Sequence, residues 1–356
     1  MSWFKKDILG VDLGARTLKG VKLKQDKTGR VILSRHFFQD LALTSESFPE
    51  RTNQDEAFRA AIEVQRLKSA YSASSVRDAD VISLSLELPK MSDKELKKAV
   101  PLEIAEMSGI SADDHSVDYL VTKGPENNPE VIGIKAYCVK KDLVLSQIKQ
   151  MKDAGLRPEA IESEMMAIRA MLDFNHYLDP KEVVMVIDLG EGHVTSALIA
   201  DGMLAYTRDH GTGFGKINLA LRDSLGLSYS DAESAKLAYD FLSAPEETPL
   251  NRTMDEVFTG IFKSIKDSMD FYKECVESRG RIDRILLVGG GSQIKGIDKI
   301  HQIFFRIPTT IVNPFRNIDV FSGLDESEHE EISKIGHHMA TAVGLALQGI
   351  PVKGAA

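Results

Sequence analysis

The chain has 356 residues, of which 43% are hydrophobic and 27% charged, as is usual for a globular protein. This length exceeds one compact core and predicts two or more lobes. The net charge of −9 argues against nucleic-acid binding as the main function, and no apolar run is long enough to span a membrane. Cys138 and Cys275 belong to no metal-binding or disulfide pattern, which is typical of reduced thiols in a cytosolic protein.

The amino-terminal part predicts a meander of three strands, followed by a polar helix and a half-buried strand. Alternating apolar residues and the turn at 25–30 indicate the strands, and helical spacing of Phe58, Ile62 and Leu67 indicates the helix. The strands are predicted at 8–11, 18–23, 31–38 and 81–86, and the helix at 48–73.

A change of pattern after Pro89 predicts a small α+β module inserted in the first lobe. Ser92 and Glu95 form a capping box that begins a helix, which Pro101 is expected to kink. Two strands at 116–121 and 131–139 follow, and then a helix over 141–154 that ends at Gly155.

The second half predicts a further hairpin followed by helices. The hairpin is expected over 183–206, after a mostly helical segment at 159–177, and turns at Ala200–Gly202. Helices are predicted over 215–279 with an interruption near 245–249, then a buried strand at 282–288, a helix that Gly289–Gly291 begins, and a short apolar helix at 340–347.

A strand followed by Asp-Leu-Gly occurs twice, about half a chain apart, at Asp12–Gly14 and Asp188–Gly190. Backbone N–H groups at such a turn can bind phosphate, and the carboxylate can hold the water shell of a cation. In the first copy Gly14 allows the turn, Thr17 offers a hydroxyl and Lys19 can reach a β- or γ-phosphate. The alternative interpretation of each copy is a plain β-hairpin.

In the second copy Asp188 is a candidate for metal binding or for orienting an attacking water. Glu191 and His193 have bulky side chains, and Glu191 is acidic, so neither is well suited to a position beside a polyphosphate. The glycines at 289–291 follow a strand and favour a phosphate or the sugar and base of a nucleotide. Glu233 and Lys236 share one helical face, where the simpler interpretation is a solvated ion pair.

The order of these motifs resembles the actin-like ATPase superfamily over nearly the whole chain. The resemblance implies an α/β fold of two lobes, each with a ribonuclease-H-like mixed sheet, plus the inserted module. It implies a first lobe at 1–87 and 160–185, a module at 88–159 and a second lobe at 186–356. It also implies bound ATP and Mg²⁺, with Asp12 and Asp188 as metal residues through water and Asp188 as a catalytic candidate. Glu164 or Glu162 is a further candidate to orient an attacking water, the alternative being a structural role for both. Nucleotide contacts are expected from Asp12, Gly14, Thr17, Lys19, Gly190, Thr195, Gly213, Glu233, Lys236, Gly289, Gly290 and Gly291.

The module narrows the resemblance to PilM-type type IV pilus assembly proteins. The residues that carry it are 91–100, 102–104, 117–119, 154–158, 313–315 and 342–347. The resemblance implies an ATP-binding cytoplasmic adaptor that is peripheral to the inner membrane. Its partner would be the cytoplasmic N-terminal peptide of a PilN-type protein, bound within or beside the module, with other platform proteins and motor ATPases contacted indirectly.

The departures from the family pattern favour slow or negligible ATP hydrolysis. Two departures lie in the Asp-Leu-Gly turns, at Ala15 and Arg16 in the first copy and at residues 191–193 in the second. The others are residues 213–214 with Asn218, and residues 107–109 at the end of the module's helix. An FtsA-like filament protein of cell division is the main alternative, but the chain ends without a charged amphipathic helix. Sugar kinases, chaperone ATPases and GspL-type secretion proteins have further features that are not visible in the sequence.

Overall fold

Two five-stranded sheets of the same topology form the framework of the protein. The computed structural model describes residues 7–41, 51–125, 127–243, 248–275 and 281–350, the side chains of 51–53 and 273–275 excepted. The first sheet has the order β3-β2-β1-β4-β8, with strands β1 (Leu9–Leu13), β2 (Thr17–Gln25), β3 (Val31–Asp40), β4 (Tyr71–Val76) and β8 (Arg157–Ser163). The predicted meander is confirmed as β1 to β3, and β4 and β8 pair in parallel beside it.

The second sheet repeats this arrangement with the order β11-β10-β9-β12-β13. Its strands are β9 (Val184–Leu189), β10 (Val194–Ala200), β11 (Met203–Asp209), β12 (Arg284–Val288) and β13 (Thr309–Ile311). Strands β9 to β11 again form an antiparallel meander, and β12 and β13 again add in parallel. The predicted pair of lobes with mixed sheets is therefore confirmed.

A third, antiparallel sheet of order β5-β7-β6 forms the module, from β5 (Val81–Pro89), β6 (His115–Thr122) and β7 (Val131–Lys140). Helix α2 (Asp93–Ser108) packs on it through Leu96, Val100 and Ile104. The predicted capping box between Ser92 and Glu95 is present, and Pro101 lies inside the helix. Cys138 is buried in β7 as a free thiol, whereas the side chain of Cys275 lies outside the described residues.

Strand pairing favours domain limits that differ from the predicted ones. Strand β5 pairs with β7, so 81–87 belongs to the module and not to the first lobe. Helix α3 (Lys141–Asp153), predicted in the module, places Met151 in the core of the first lobe. Helix α10 (Ala340–Ala346) lies against β1 so closely that a Cβ at Gly10 would be 2.1 Å from the Ala342 carbonyl oxygen. We therefore propose a module of 81–140 and a second lobe that ends before α10.

The observed helices differ from the predicted ones mainly because some residues predicted as helix belong to strands. Helix α1 (Arg51–Val64) ends before β4, and α4 (Glu164–Phe174) begins only after β8, so the helices predicted at 48–73 and 159–177 are too long. The glycine triplet leads into a 3₁₀ turn, Gly290–Gln293, and not directly into a helix. The remaining helices are α5 (Gly215–Leu225), α6 (Tyr229–Ala238), α7 (Pro249–Cys275), α8 (Ile297–Phe305) and α9 (Glu326–Ile335). Among the described residues, no helix combines the length and apolar composition needed to cross a membrane.

Candidate functional site

A cleft of about 330 Å³ separates the two lobes. Both Asp-Leu-Gly turns, the glycine triplet and α6 line it. The predicted residues that it brings together are Asp12, Gly14, Thr17, Lys19, Glu164, Asp188, Gly190, Glu233, Lys236, Gly289, Gly290 and Gly291. Thr195 and Gly213 are not among its lining residues. Thr195 is 1% exposed within β10, and a Cβ at Gly213 would lie 2.3 Å from the Glu191 carbonyl oxygen.

The first turn holds a buried ion pair at its base. Asp12 and Lys19 are opposite each other in the β1–β2 ladder, which puts both side chains on one face of the hairpin. Lys19 Nζ donates to Asp12 Oδ2 at 2.6 Å. The Gly14 N–H donates to the Thr17 carbonyl at 3.0 Å and closes the turn. A cation and a carboxylate thus lie together where the turn meets the cleft.

The second turn directs its two bulky residues away from each other. His193 Nε2 donates to Glu164 Oε2 at 3.1 Å, and this bond raises the pKa of His193 to about 9 although burial opposes it. Burial, with repulsion from Glu164, raises the pKa of Asp188 to about 6. Since His193 lies in the second lobe and Glu164 begins α4, this bond crosses the cleft.

Glu191 joins a buried charged network. It accepts hydrogen bonds from Lys236 at 3.0 Å, from Asn218 at 3.2 Å and from the Tyr229 hydroxyl. Lys236, whose side chain is only 3% exposed, also lies 2.7 Å from Glu233. The pair of Glu233 and Lys236 is therefore buried, and its interpretation as a solvated ion pair is wrong.

Arg16 connects this network to the first lobe. Its guanidinium lies 2.9 Å from Glu233 on α6 and binds the Asp40 carboxylate with two hydrogen bonds of 3.0 and 2.9 Å. Burial acts to raise the pKa of Glu233, but Lys236, Arg16 and Asn218 together bring it below its ordinary value. A second charged bridge across the cleft results.

Only glycine fits the triplet. Gly289 has a φ of +84°, and a Cβ there would lie 2.1 Å from Asp188 Oδ1. A Cβ at Gly290 would lie 2.6 Å from the His338 ring. Gln293 Nε2 donates to His338 Nε2 at 2.5 Å, and burial, with nearby His337 and Lys19, lowers the pKa of His338 to about 2. The triplet therefore presents bare backbone to the cleft beside a neutral imidazole.

The sequence did not indicate every lining residue. Phe38, His338 and Thr341 line the cleft but belong to no motif. Phe38 could have been inferred, because its strand neighbours the one that carries Lys19. The His338 ring packs against the Phe38 ring at 5.1 Å between centroids, a contact between residues 300 positions apart that no local pattern encodes.

The donor set fits a nucleotide polyphosphate with a divalent cation. Lys19, Lys236 and Arg16 supply positive charge and the glycines supply close backbone approach. The lining also has more carboxylates than cations, so a metal ion would reduce repulsion of phosphate. In the described part of the chain no group of three or more His, Cys, Asp or Glu side chains could hold a metal ion alone. Asp12 or Asp188 would therefore share it with phosphate oxygens, as Mg²⁺ prefers.

Two lobes of duplicated topology with phosphate-type turns facing one cleft define a protein of the actin-like ATPase fold. Residues 10–350 match the family model of the type IV pilus assembly protein PilM. The chain belongs to this family.

Solved structures agree with this fold. A PilM-PilN type IV pilus biogenesis complex is 20% identical, with a TM-score of 0.80 over 98% of this chain and 100% of that one. The ethanolamine utilization protein EutJ from Carboxydothermus hydrogenoformans is 16% identical, with a TM-score of 0.52 over 96% and 89%.

Proposed function

We propose that this protein is a cytoplasmic, ATP-binding adaptor of the type IV pilus inner-membrane platform. Its partner is the cytoplasmic N-terminal peptide of a PilN-type protein, through which it is held at the membrane. The observation that carries the proposal is the convergence of both Asp-Leu-Gly turns and the glycine triplet on one cleft. Membership of the PilM family supports the partner.

In the cleft, Lys19 is proposed to bind the β- or γ-phosphate, and Asp12 and Asp188 to hold Mg²⁺ through water. Glu233, Lys236 and the glycine triplet would receive the sugar and base. Glu164 accepts a hydrogen bond from His193 at 3.1 Å and must lose this contact before it can orient an attacking water. This supports slow or negligible hydrolysis.

Calorimetry with Mg-ATP tests the nucleotide assignment. Lys19→Met removes a charge-assisted contact worth about 1.5–3 kcal/mol, so affinity should fall about 10-fold or more. Lys24→Met, an exposed position on the same strand, is the matched control. Equal affinity of the two variants would sink the assignment of Lys19.

A groove of about 240 Å³ between the module and the first lobe is the proposed peptide site. Strands β6 and β7 line one side, and β8 and α4 line the other, with mostly apolar residues such as Val117, Val139 and Ile161. Strand β6 is one of the two edge strands of its sheet, and its Leu120 side chain is 42% exposed. An extended peptide can add to such an edge while its side chains enter the groove.

A synthetic N-terminal peptide of the PilN-type partner tests this site. We expect a dissociation constant of about 1 μM or tighter, or roughly −8 kcal/mol. Leu120→Glu should weaken binding about 10-fold, whereas Leu102→Glu, on the exposed face of α2, should leave it unchanged. If the peptide binds in neither the presence nor the absence of ATP, an FtsA-like filament function takes precedence.

A further inference from the structure

Consecutive residues at the β8–α4 junction line three different cavities. Glu162, Ser163 and Met166 line the proposed peptide groove. Ser163 also lines, with Asp78, a cavity of about 240 Å³ between the module and β11. Glu164 lines the cleft. At the first turn of α4, Ser163 of the groove and Glu164 of the cleft are thus adjacent in the chain.

Hydrogen bonds hold this turn from three directions. Ser163 Oγ accepts from the Met166 N–H at 3.2 Å, and Asp78 Oδ2 accepts from the Met165 N–H at 2.9 Å. Glu164 accepts from His193 of the second lobe at 3.1 Å. Because Met165 is buried and α4 packs in the core between the lobes, the turn cannot shift without changing all three contacts.

His193 is the adaptable member of this set. Its side chain is 24% exposed to the cleft, on the turn that carries Asp188, and it is charged near neutral pH. It offsets repulsion among Glu164, Asp188 and buried Asp78, which the electrostatics of this region couple. A charged imidazole beside a phosphate-type turn has a second possible anion, the terminal phosphate of a nucleotide.

We propose that His193 couples the cleft to the peptide groove by exchanging Glu164 for the terminal phosphate of a nucleoside triphosphate. Without His193, Glu164 lies next to two other carboxyl groups, and the first turn of α4 moves with its groove residues Ser163 and Met166. A nucleoside diphosphate lacks the terminal phosphate and leaves the His193–Glu164 bond intact. This inference rests on the proposed function of both sites.

The experiment measures peptide affinity by calorimetry without nucleotide, with Mg-ADP and with a magnesium complex of a hydrolysis-resistant ATP analogue. In the natural protein the analogue should change affinity by about 5-fold or more, and ADP by less than about 2-fold. His193→Gln and Glu164→Gln should each reduce the effect of the analogue below about 2-fold. His176→Gln, an exposed position after α4, should keep the full effect.

Reciprocity gives an internal check, because saturating peptide must change the affinity for the analogue by the same factor. The inference is overturned if the natural protein binds both ligands without coupling, if ADP acts like the analogue, or if either variant keeps full coupling. Peptide binding in each of those cases leaves the proposed function standing. Absence of peptide binding under every condition removes the proposed function and this inference together.

Discussion

The substitution Lys236→Met tests the charged network between α6 and the second turn. Lys236 Nζ lies 3.0 Å from Glu191 and 2.7 Å from Glu233, and its side chain is 3% exposed. Methionine keeps most of the buried aliphatic volume, so the change removes charge and hydrogen bonds with little loss of packing. Two largely buried carboxylates then lack their shared cation.

Removing one partner of a buried ion pair costs about 3–5 kcal/mol. Arg16 remains 2.9 Å from Glu233, which places the expected loss near the lower limit, about 3 kcal/mol. Lys266→Met is the matched control, because Lys266 pairs with Asp270 on the exposed surface of α7. An exposed pair of this spacing contributes far less to stability than a buried one.

Urea unfolding followed by circular dichroism gives the difference in the free energy of unfolding. The pKa of Glu233 lies below its ordinary value in the folded protein, so its stabilising contribution is present above the unfolded pKa of about 4.3. This contribution is lost as the pH falls through the folded pKa, and the gap between natural protein and variant should narrow there. A loss near pH 7 no larger than that of Lys266→Met would refute the reasoning.

Three further substitutions address the cleft and the α4 junction. The folded pKa of His193 is raised to about 9, so its pairing with Glu164 stabilises fully below the unfolded pKa of about 6.5 and is lost as the pH rises through about 9. In thermal unfolding at pH 6 the natural protein should therefore have a free energy of unfolding about 1–2 kcal/mol above that of Glu164→Gln. Near pH 10 the two values should approach each other. Gly289→Ala should lower the free energy of unfolding in urea by well over 1 kcal/mol and weaken nucleotide binding, because its Cβ would lie 2.1 Å from Asp188. The control Gly109→Ala has a φ of +73° but no atom within 4 Å of the new Cβ, so it should cost only about 1 kcal/mol. Burial raises the pKa of Asp78 to about 7, so ionised Asp78 destabilises the folded protein more and more as the pH rises from the unfolded pKa of about 3.9. Asp78→Asn should therefore raise the free energy of unfolding by about 1 kcal/mol at pH 8, and this gain should disappear in acid. Thermal melting at the two pH values measures the difference.

The sequence predicted strands where apolar residues alternate or form a continuous run. The meander of β1 to β3 and the core strand β12, in which four successive residues are buried, are of these kinds. Strand β4 was missed because it is rich in serine, and tertiary context rather than apolar alternation buries it. Ser72 and Ser74 are at most 1% exposed between β1 and β8, and Gln147 donates to Ser74 Oγ at 2.7 Å.

The motif residues of the site were predictable, but their partners were not. Asp12 and Lys19 follow from a hairpin register that the sequence contains. His338 reaches the cleft only through tertiary packing, so no local pattern could indicate it. Thr195 was expected in contact with the nucleotide, yet it is buried in β10, where its hydroxyl has no hydrogen-bond partner among the described residues.

The cations that line the cleft are already paired with carboxylates of the protein, and this affects both phosphate binding and hydrolysis. Lys19 is held by Asp12, Lys236 by Glu191 and Glu233, and His193 by Glu164. A phosphate that enters must exchange partners with these carboxylates, so the net affinity is smaller than the number of contacts suggests. Rapid hydrolysis would also require a free carboxylate beside the attacking water, and Glu164 becomes free only after it gives up its contact with His193 of the opposite lobe. Exchange at His193 instead alters a contact that joins the lobes, which is the property that the proposed nucleotide-controlled adaptor requires.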